Sequence, residues 1–373
     1  MFKIPKANTH PDVAKEQHLV PRTYMREWSF NGTDSIWIFD KRENSIQVQN
    51  INRINYKTGF HDIKAGDVFV PEDALQEIFG FLKDYRIELE GKKLSTLYEL
   101  NRNYCEYDKW DIYDDENNIA PKKIKNEIKR VIDQSRYTFI ETEWCYQFED
   151  NWTNYIHKLE GKVRCKLSVN PFIPTEEEQE ELMQYLLIYD FRNIKGNAWI
   201  NSLIDESVPQ EIANIEVPHD ERIHKFNETI GDEFKHGIRI KMFYEFLKMR
   251  QGKIPLMLKK YQKNLGIQIC LTNRAVPFMT CETPSMMIRR IEDNRCQHIF
   301  VATPTMLITT FKTRHASYST RYLSPKEVKR YNQYIIKNGT SIITLKNDEK
   351  TERFCKYYSS KKCLSPAKTM PFS

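Results

Sequence analysis

The pattern of apolar and polar positions divides the chain into two strand-rich ends and a helical middle. Residues 36–40 and 45–51 are short β-branched and aromatic runs on either side of a polar turn at 41–44, which predicts a β-hairpin. After Gly266 the apolar residues alternate with polar ones again. This alternation predicts strands at 267–271, 276–280, 297–302, 306–311 and 340–345.

Between these ends, apolar residues recur at helical spacing. The steps of three to five residues from Lys122 to Leu159 predict one long helix, or two helices with a break near Ser135. Thr175 and Glu178 have the spacing of a capping box, which predicts the start of another helix. Further helices are predicted to begin near Pro71, after Val217-Pro218, and at Ser324, where proline occupies the first helical position.

Together these elements predict an α+β fold in which the strand-rich N- and C-terminal parts form one sheet, with a large helical middle. The segment at 62–136 is predicted to be an insertion of helix and loop, with a polar surface loop at 101–121. The predicted order is an N-terminal β-containing segment at 1–61, the insertion, a helical region at 137–262, a strand-rich basic region at 263–347 and a charged, frayed tail at 348–373.

Composition favours a globular protein that is not embedded in a membrane. Of the 373 residues, 40% are hydrophobic and 29% are charged. No run of about eighteen apolar residues occurs, and no apolar stretch of a signal peptide follows Met1. We therefore expect a cytoplasmic protein with reduced thiols. Its eight cysteines contain no C-x-x-C pair, so a zinc ribbon is not expected; a cofactor stays unknown, with a divalent metal as one option.

Charge is unevenly distributed along the chain. The net charge is +6, yet residues 286–373 hold seventeen Lys or Arg against six Asp or Glu, a balance of +11 that leaves −5 for the rest. This asymmetry favours an anionic partner, nucleic acid first, although a solvated basic face gives the same pattern. The candidate nucleic-acid-binding residues are Arg289, Arg290, Lys329 and Arg330, interleaved with Tyr318, Tyr322, Tyr331 and Tyr334, a combination suited to phosphate contact and base stacking.

The most distinctive segment is residues 17–30, which holds a histidine, two arginines and three aromatic residues. His18 is suited to general acid–base catalysis because imidazole titrates near neutral pH. Arg22 or Arg26 is suited to holding a phosphate through bidentate hydrogen bonds. In the alternative, structural interpretation, His18 caps a turn while Tyr24, Trp28 and Phe30 belong to the core.

This segment reads Gln17-His18-x-x-Pro21-x-x-Tyr24-x-x-x-Trp28 and resembles the opening motif of the domain of unknown function 4238 family (DUF4238), a group of mainly bacterial proteins. Further segments resemble the family in the expected order, and the resemblance covers most of the chain outside 62–136. The chain departs from the family pattern at Leu19, at Trp28 and at Glu282-Thr283-Pro284, where the family has Asp-Asn-Pro. The similar segments are Glu141–Leu159, Leu186–Arg192, Phe278–Pro284 and Leu323–Asn332.

Two acidic residues are candidates for chemistry or for ion pairs. Glu282 lies between a predicted strand and a proline, where a carboxylate can act as a base, bind a metal or pair with an arginine such as Arg22 or Arg192. Glu149 lies beside apolar residues of a predicted helix, so we expect it to be paired. Arg192, at the end of an apolar helix, is its natural partner, and a pair of this kind is more often structural than catalytic.

Two hypotheses of different classes follow. In the first, the chain is a nucleic-acid-directed phosphodiesterase in which His18 transfers a proton, Glu282 is a base or metal ligand, and Arg22 and Arg192 offset phosphate charge. This hypothesis places His18 and Glu282 in one pocket. In the second, the chain is a non-catalytic nucleic-acid- or nucleotide-binding module, and these residues form a buried polar network. The resemblance implies little about activity, but family members often lie near mobile and defence genes, which favours a bacterial defence role by association.

Overall fold

A computed structural model describes residues 2–30, 32–166, 174–192, 201, 204–289, 296–312 and 317–361. Its strands are β1 (Glu16–His18), β2 (Ser35–Asp40), β3 (Ser45–Asn50), β4 (Tyr56–Thr58), β5 (Arg86–Leu89), β6 (Lys92–Leu94), β7 (Trp110–Tyr113), β8 (Leu265–Leu271), β9 (Thr280–Cys281), β10 (Ser285–Arg289), β11 (Cys296–Thr303), β12 (Met306–Lys312), β13 (Ser317–Tyr322) and β14 (Ser341–Thr344).

The α-helices of the same residues are α1 (Arg22–Met25), α2 (Glu72–Phe79), α3 (Leu97–Arg102), α4 (Lys122–Gln134), α5 (Phe139–Trp144), α6 (Asp150–Lys166), α7 (Glu176–Arg192), α8 (Gln210–Ala213), α9 (Ile230–Tyr244), α10 (Lys253–Asn264), α11 (Pro325–Asn338) and α12 (Glu349–Ser359). A π-helical turn, Cys145–Glu149, precedes α6. Among these helices, none has both the length and the apolar character needed to cross a membrane.

The chain forms two compact units, each assembled from separate stretches of sequence. Unit 1 consists of Met1–Gln17, Thr58–Trp144 and Ile204–Arg250. Unit 2 consists of His18–Lys57, Cys145–Leu203 and Gln251–Ser373.

The fold is α+β, and one sheet of unit 2 joins strands from both ends of the chain, as the sequence predicts. In the order β3-β2-β14-β9, the N-terminal hairpin pairs through β2 with β14, and β14 pairs in turn with β9. Ile342 of β14 lies opposite Phe39 on one side and Cys281 on the other. Ile342 and Phe39 are both fully buried, so this cross-strand pair belongs to the core of unit 2 and joins the two ends of the chain.

A second sheet of unit 2 contains five strands in the order β10-β11-β12-β8-β13. Its pairs are antiparallel except β13, which runs parallel to β8. Trp152 of α6 is fully buried and packs against the rings of Tyr24, Tyr189 and Phe300. This aromatic cluster links α1, α6 and α7 to the sheet.

Unit 1 contains helices and a three-stranded sheet, β6-β5-β7. The prediction of a surface loop over 101–121 is wrong, because Trp110–Tyr113 forms β7. Trp110 and Ile112 are buried while Asp111 and Tyr113 are half-buried, so the segment has the alternation of a strand, which the surrounding Asp and Asn residues obscure.

Helix boundaries follow local capping signals. The helix predicted from Lys122 ends at Gln134, and Ser135 has extended backbone angles, which confirms the predicted break. The capping boxes at Thr175 and Ser324 are both present. The prediction of a frayed tail is wrong for 349–359, because Asp348 accepts a hydrogen bond from the Thr351 backbone at 2.7 Å and thereby begins α12.

Candidate ligand cavity

The opening motif anchors two of its aromatic residues in the core of unit 2. The Tyr24 hydroxyl donates to the Val301 carbonyl at 2.6 Å and lies 2.7 Å from the Thr280 hydroxyl. The Trp28 indole donates to the Phe278 carbonyl at 3.1 Å. These bonds tie the opening motif to the family-like segment at 278–284, and they support the structural interpretation of both aromatic residues.

His18 and Arg22 bind the same short turn of unit 2, Ile51–Arg53. The His18 Nε2 donates to the Ile51 carbonyl at 3.1 Å, and the Arg22 guanidinium donates to the Asn52 side chain at 3.1 Å. His18 is only 8% exposed. Its surroundings therefore match the enclosed network of the second hypothesis, while a catalytic role stays a prediction.

Arg192 is buried at the end of α7 and pairs with the Glu149 carboxylate of the π-helical turn. This confirms the partner predicted for Glu149. The Arg192 Nε also donates to the His18 carbonyl at 2.6 Å, and only 1% of the Arg192 side chain is exposed. With its guanidinium held by these partners and shielded from solvent, Arg192 is poorly placed to meet a phosphate.

Glu282 binds backbone groups at the start of β14. Its carboxylate accepts from the backbone N–H groups of Thr340, at 2.8 Å, and Ser341, at 3.0 Å. It also accepts from the Thr340 hydroxyl at 2.7 Å. Because these three donors fix the carboxylate, Glu282 fastens the segment before β14 to the segment after β9.

His18 and Glu282 do not share a pocket, and that prediction is wrong. The backbone that Glu282 binds pairs with Asp40, at one end of β2. The turn that holds His18 begins at Ile51, whose N–H donates to the Asp34 carbonyl beyond the other end of β2. Six residues of extended chain span about 20 Å. Strand alternation shows which face of a sheet a residue occupies, but it does not show which end of the sheet the residue lies near. Sequence alone therefore could not show that His18 and Glu282 are far apart.

The predicted nucleic-acid-binding cations are distributed over two elements of unit 2. Arg289 is the last residue of β10, and Arg290 lies outside the described residues. Lys329 and Arg330 are exposed on α11. Their role in binding stays a prediction.

The interleaved tyrosines differ in accessibility. Tyr334 is buried, so the prediction that it is available for stacking is wrong, because it lies on the apolar face of α11. Tyr318 and Tyr331 are half-buried. Tyr322, at the end of β13, is 55% exposed.

An open polar cavity of about 490 Å³ lies within unit 2. It is formed by one face of α6 and by the ends of strands β8 and β11 with the residues that follow them. None of its charged residues was a predicted site residue. The lining residues are Glu27, His157, Glu160, Gly161, Arg164, Thr272, Asn273, Arg274, Thr303, Pro304 and Thr305.

A histidine–carboxylate pair forms one wall of this cavity. The His157 Nε2 lies 2.9 Å from the Glu27 carboxylate. The His157 side chain is 56% exposed, whereas that of Glu27 is only 11% exposed. A buried carboxylate that holds one ring nitrogen orients the imidazole and leaves Nδ1 for a ligand or a proton.

A second carboxylate of the cavity, Glu160, forms an ion pair with Arg164. It accepts from the Arg164 Nε at 2.9 Å, one helical turn along α6, and from the hydroxyls of Thr303 at 3.2 Å and Thr305 at 2.6 Å. Burial by itself would lower the pKa of Arg164, but the hydrogen bond and charge of Glu160 outweigh it and raise that pKa. Arg164 also donates to the Thr272 carbonyl at 3.1 Å, so it joins α6 to the end of β8.

Arg274 is the cavity cation without a partner in the described part of the chain. Its side chain is exposed, and among the described residues it makes no ion pair. Since His157 faces Glu27 and Arg164 faces Glu160, both acidic residues of the wall have partners. Among the described residues, Arg274 is therefore the guanidinium of the cavity wall that no carboxylate pairs with.

A polar stripe on α6 could have revealed part of this cavity. His157, Glu160 and Arg164 follow one another at steps of three and four residues, so they share one helical face. Sequence reasoning followed the apolar stripe through Trp152 on the same helix and did not consider its polar counterpart. The contributions of Arg274 and of the other loop residues depend on long-range packing, for which no local signal exists.

Unit 1 has a separate buried polar network that includes Gln17 of the opening motif. The Gln17 amide donates to Asp62 at 2.5 Å, and Asp62 pairs with Arg136 at 3.1 Å. His61 Nδ1 lies 2.7 Å from the Glu141 carboxylate. All five side chains are buried, so this network is a structural element of unit 1. Across both units, the described residues contain no group of three or more His, Cys, Asp or Glu arranged to hold a metal ion.

Comparison with known proteins identifies a family. A family model described as "Protein of unknown function (DUF4238)" matches residues 16–349. No curated protein and no solved structure matches the chain.

Proposed function

The chain belongs to the DUF4238 family, and we propose that its unit 2 cavity binds the phosphate group of a nucleotide or nucleic acid. The observation that carries this proposal is Arg274, which makes no ion pair among the described residues and lines a cavity of about 490 Å³. A guanidinium matches the geometry of phosphate oxygens and forms charge-assisted hydrogen bonds with them. A cavity of this volume is large enough for a ligand of nucleotide size.

The polar atoms around Arg274 suit the same ligand. Thr272, Thr303 and Thr305 line the cavity with hydroxyl groups, and Asn273 adds an amide. Hydroxyl and amide groups donate hydrogen bonds to phosphate oxygens and to sugars as readily as they accept them. The hydroxyls of Thr303 and Thr305 already donate to Glu160, and that of Thr272 donates to the Val276 carbonyl. They can therefore accept hydrogen bonds from a sugar hydroxyl, while the Asn273 side-chain N–H groups can donate to a phosphate oxygen.

Exposed cations outside the cavity support a polymeric ligand. Lys329 and Arg330 are exposed on α11, in the part of the chain that carries the excess of positive charge. Each phosphate neutralised by such a residue releases condensed counterions, so affinity should fall steeply as salt rises. Affinity that is unchanged between 50 and about 200 mM salt would contradict this part of the proposal.

The test is a binding measurement with an Arg274→Gln variant. A fluorescently labelled oligonucleotide is titrated with protein and its anisotropy is recorded, with pyrophosphate as a competitor. Removing one charge-assisted phosphate contact should weaken binding about tenfold. The matched control is Arg353→Gln, because Arg353 is an exposed arginine of unit 2 that does not line the cavity. Equal effects of the two substitutions would refute the cavity as the binding site.

A second candidate function is cleavage of a phosphodiester, favoured by the His157–Glu27 pair in the same cavity. In this reaction His157 Nδ1 takes a proton from water as the new P–O bond forms and the bond to the leaving oxygen breaks. Glu27 would hold the imidazole in the required tautomer. His157→Asn should abolish release of nitrophenolate from a bis(nitrophenyl) phosphate substrate while leaving oligonucleotide affinity unchanged. Wild-type protein without such activity would leave binding as the proposed function.

The biological setting we propose, defence of a bacterial cell from a cytoplasmic location, rests on the family resemblance. It predicts that cells expressing the chain resist infection by bacteriophage better than cells expressing Arg274→Gln. Equal plaque counts at matched protein levels would contradict a defence role that uses this cavity.

A further inference from the structure

We infer that Tyr322 forms a stacking subsite for an unstacked nucleobase beside the cavity. The inference rests on the proposed function and adds a ligand class, since a base whose face is free occurs in a nucleotide or a single strand but not inside a duplex. Paired bases in a duplex are covered on both faces by their neighbours, whereas single-strand binding proteins stack successive bases on aromatic side chains.

The first observation is the position of Tyr322 at the edge of the sheet where the cavity opens. Strand β13 runs parallel to β8, and Tyr322 lies opposite Leu271, the last residue of β8. The next residue along, Thr272, lines the cavity. Parallel strands that end together bring their final residues to the same edge, so the tyrosine is adjacent to the cavity rim.

The second observation is that an arginine of the cavity wall holds the tyrosine in place. Arg164 donates to the Tyr322 hydroxyl at 3.3 Å, and its guanidinium carbon lies 5.9 Å from the ring centroid. The other donors of Arg164 bind Glu160 and the Thr272 carbonyl. A side chain tethered at its hydroxyl loses less rotational freedom when it binds a ligand, because part of that freedom is already lost.

The third observation is exposure. Tyr322 is 55% exposed, whereas Trp152 and Tyr24 of the same unit are fully buried. Exposed aromatic surface that is tethered next to a cavity lined by Arg274 fits a ligand with a phosphate at one end and an aromatic ring at the other. Nucleotides have this chemistry.

The experiment compares three probes with wild-type protein and two Tyr322 variants. The probes are a labelled single-stranded oligonucleotide, the same sequence as a duplex, and an unlabelled mononucleotide used as a competitor. Tyr322→Ala removes the ring, while Tyr322→Phe keeps the ring and removes only the hydroxyl. Melting temperatures of the variants check that the fold is retained, which is expected for an exposed residue.

We expect wild-type protein to bind the single strand at least tenfold more tightly than the duplex. Tyr322→Ala should weaken single-strand binding about tenfold, which is the scale of one lost base–aromatic stack. Tyr322→Phe should stay within about twofold of wild type, and competition by pyrophosphate should be the same for all three proteins. The mononucleotide distinguishes the two sources of the base. If it displaces the oligonucleotide at a similar concentration, the site binds nucleotides; if it does so only in large excess, the site binds a single strand.

Two results would overturn the stacking subsite and leave the proposed phosphate-binding function intact. If Tyr322→Ala binds the single strand as wild type does while Arg274→Gln still weakens binding, the phosphate site stands and the stacking subsite does not exist. If Tyr322→Phe loses as much affinity as Tyr322→Ala, the hydroxyl acts by positioning Arg164 and not through stacking. Absence of binding to every phosphate-bearing probe would instead refute the proposed function, and this inference with it.

Discussion

The buried pair of Arg192 and Glu149 gives the sharpest test of the structure. Arg192→Met keeps most of the side-chain volume but removes the guanidinium. It leaves the Glu149 carboxylate, 13% exposed, without its cation and the His18 carbonyl without the 2.6 Å hydrogen bond. Removing one partner of a buried ion pair costs about 3–5 kcal/mol. The variant should therefore lose a large share of the stability of unit 2.

A second substitution distinguishes two contributions to this loss of stability, the unpaired carboxylate and the lost hydrogen bond. Glu149→Leu combined with Arg192→Met replaces the pair by apolar groups, which is often neutral or stabilising relative to the ion pair. The His18 carbonyl remains without its donor in the double variant, which costs about 1–3 kcal/mol. We therefore expect the double variant to be less stable than wild type but more stable than Arg192→Met.

Urea unfolding followed by circular dichroism measures these differences. Because two units can unfold separately, the curves are fitted with an intermediate where one is present. Arg353→Met is the control, since the exposed Arg353 should contribute within about 0.5 kcal/mol. Arg192→Met within about 1 kcal/mol of wild type, or a double variant less stable than the single one, would refute the argument that the pair is buried and mutually dependent.

Three further predictions concern stability and reactivity. Trp152→Ala should lower the free energy of unfolding by about 3–5 kcal/mol because the indole is fully buried. His18→Ala loses one hydrogen bond to a carbonyl and should lower it by about 1–3 kcal/mol. Equal losses for the two variants in a melting experiment would make His18 a major core residue. Burial raises the pKa of Cys355 to about 12, so iodoacetamide at neutral pH should alkylate the exposed Cys105 long before Cys355. Mass spectrometry measures the two alkylation rates, and equal rates would contradict the burial of Cys355. Burial raises the pKa of Glu233 above its ordinary value, so the native protein binds this proton more tightly than the unfolded protein does. Its contribution to stability should therefore fall as pH rises above the ordinary pKa of glutamate, and Glu233→Gln should remove this fall. A wild-type stability that rises over the same pH interval without depending on Glu233 would refute the prediction.

Local sequence signals predicted the elements and one long-range pair. The hairpin, the capping boxes and the helix break at Ser135 depend on residues within a few positions of one another, which sequence displays directly. The pair of Glu149 and Arg192 was predictable because both are charged residues in apolar helices, and a buried charge requires a partner. The joining of the two strand-rich ends in one sheet was predicted from the order of strand-rich and helical segments along the chain.

The site was harder to predict because it depends on where strands end. His18 and Glu282 both lie at strand ends, but they bind backbone groups that lie beside opposite ends of β2. The cavity combines the α6 stripe with Arg274 and with residues that follow β11, and neither sequence spacing nor composition links these segments. The residues after β8 and β11 meet because β8 pairs with β12, and α6 contacts them through Arg164 and Glu160. A single sequence does not encode these contacts in any local pattern.

The sheet that joins both ends of the chain cannot be completed until translation is nearly finished. Asp40 of β2 pairs with Ser341 of β14, and about 300 residues must be translated between them. At about 5–20 residues per second, the ribosome needs roughly 15–60 s to supply the partner strand. During that interval one edge of the N-terminal hairpin offers unpaired backbone groups to any neighbouring strand. The chain therefore depends, in the cell, on whatever shields a nascent edge until its own last strand emerges.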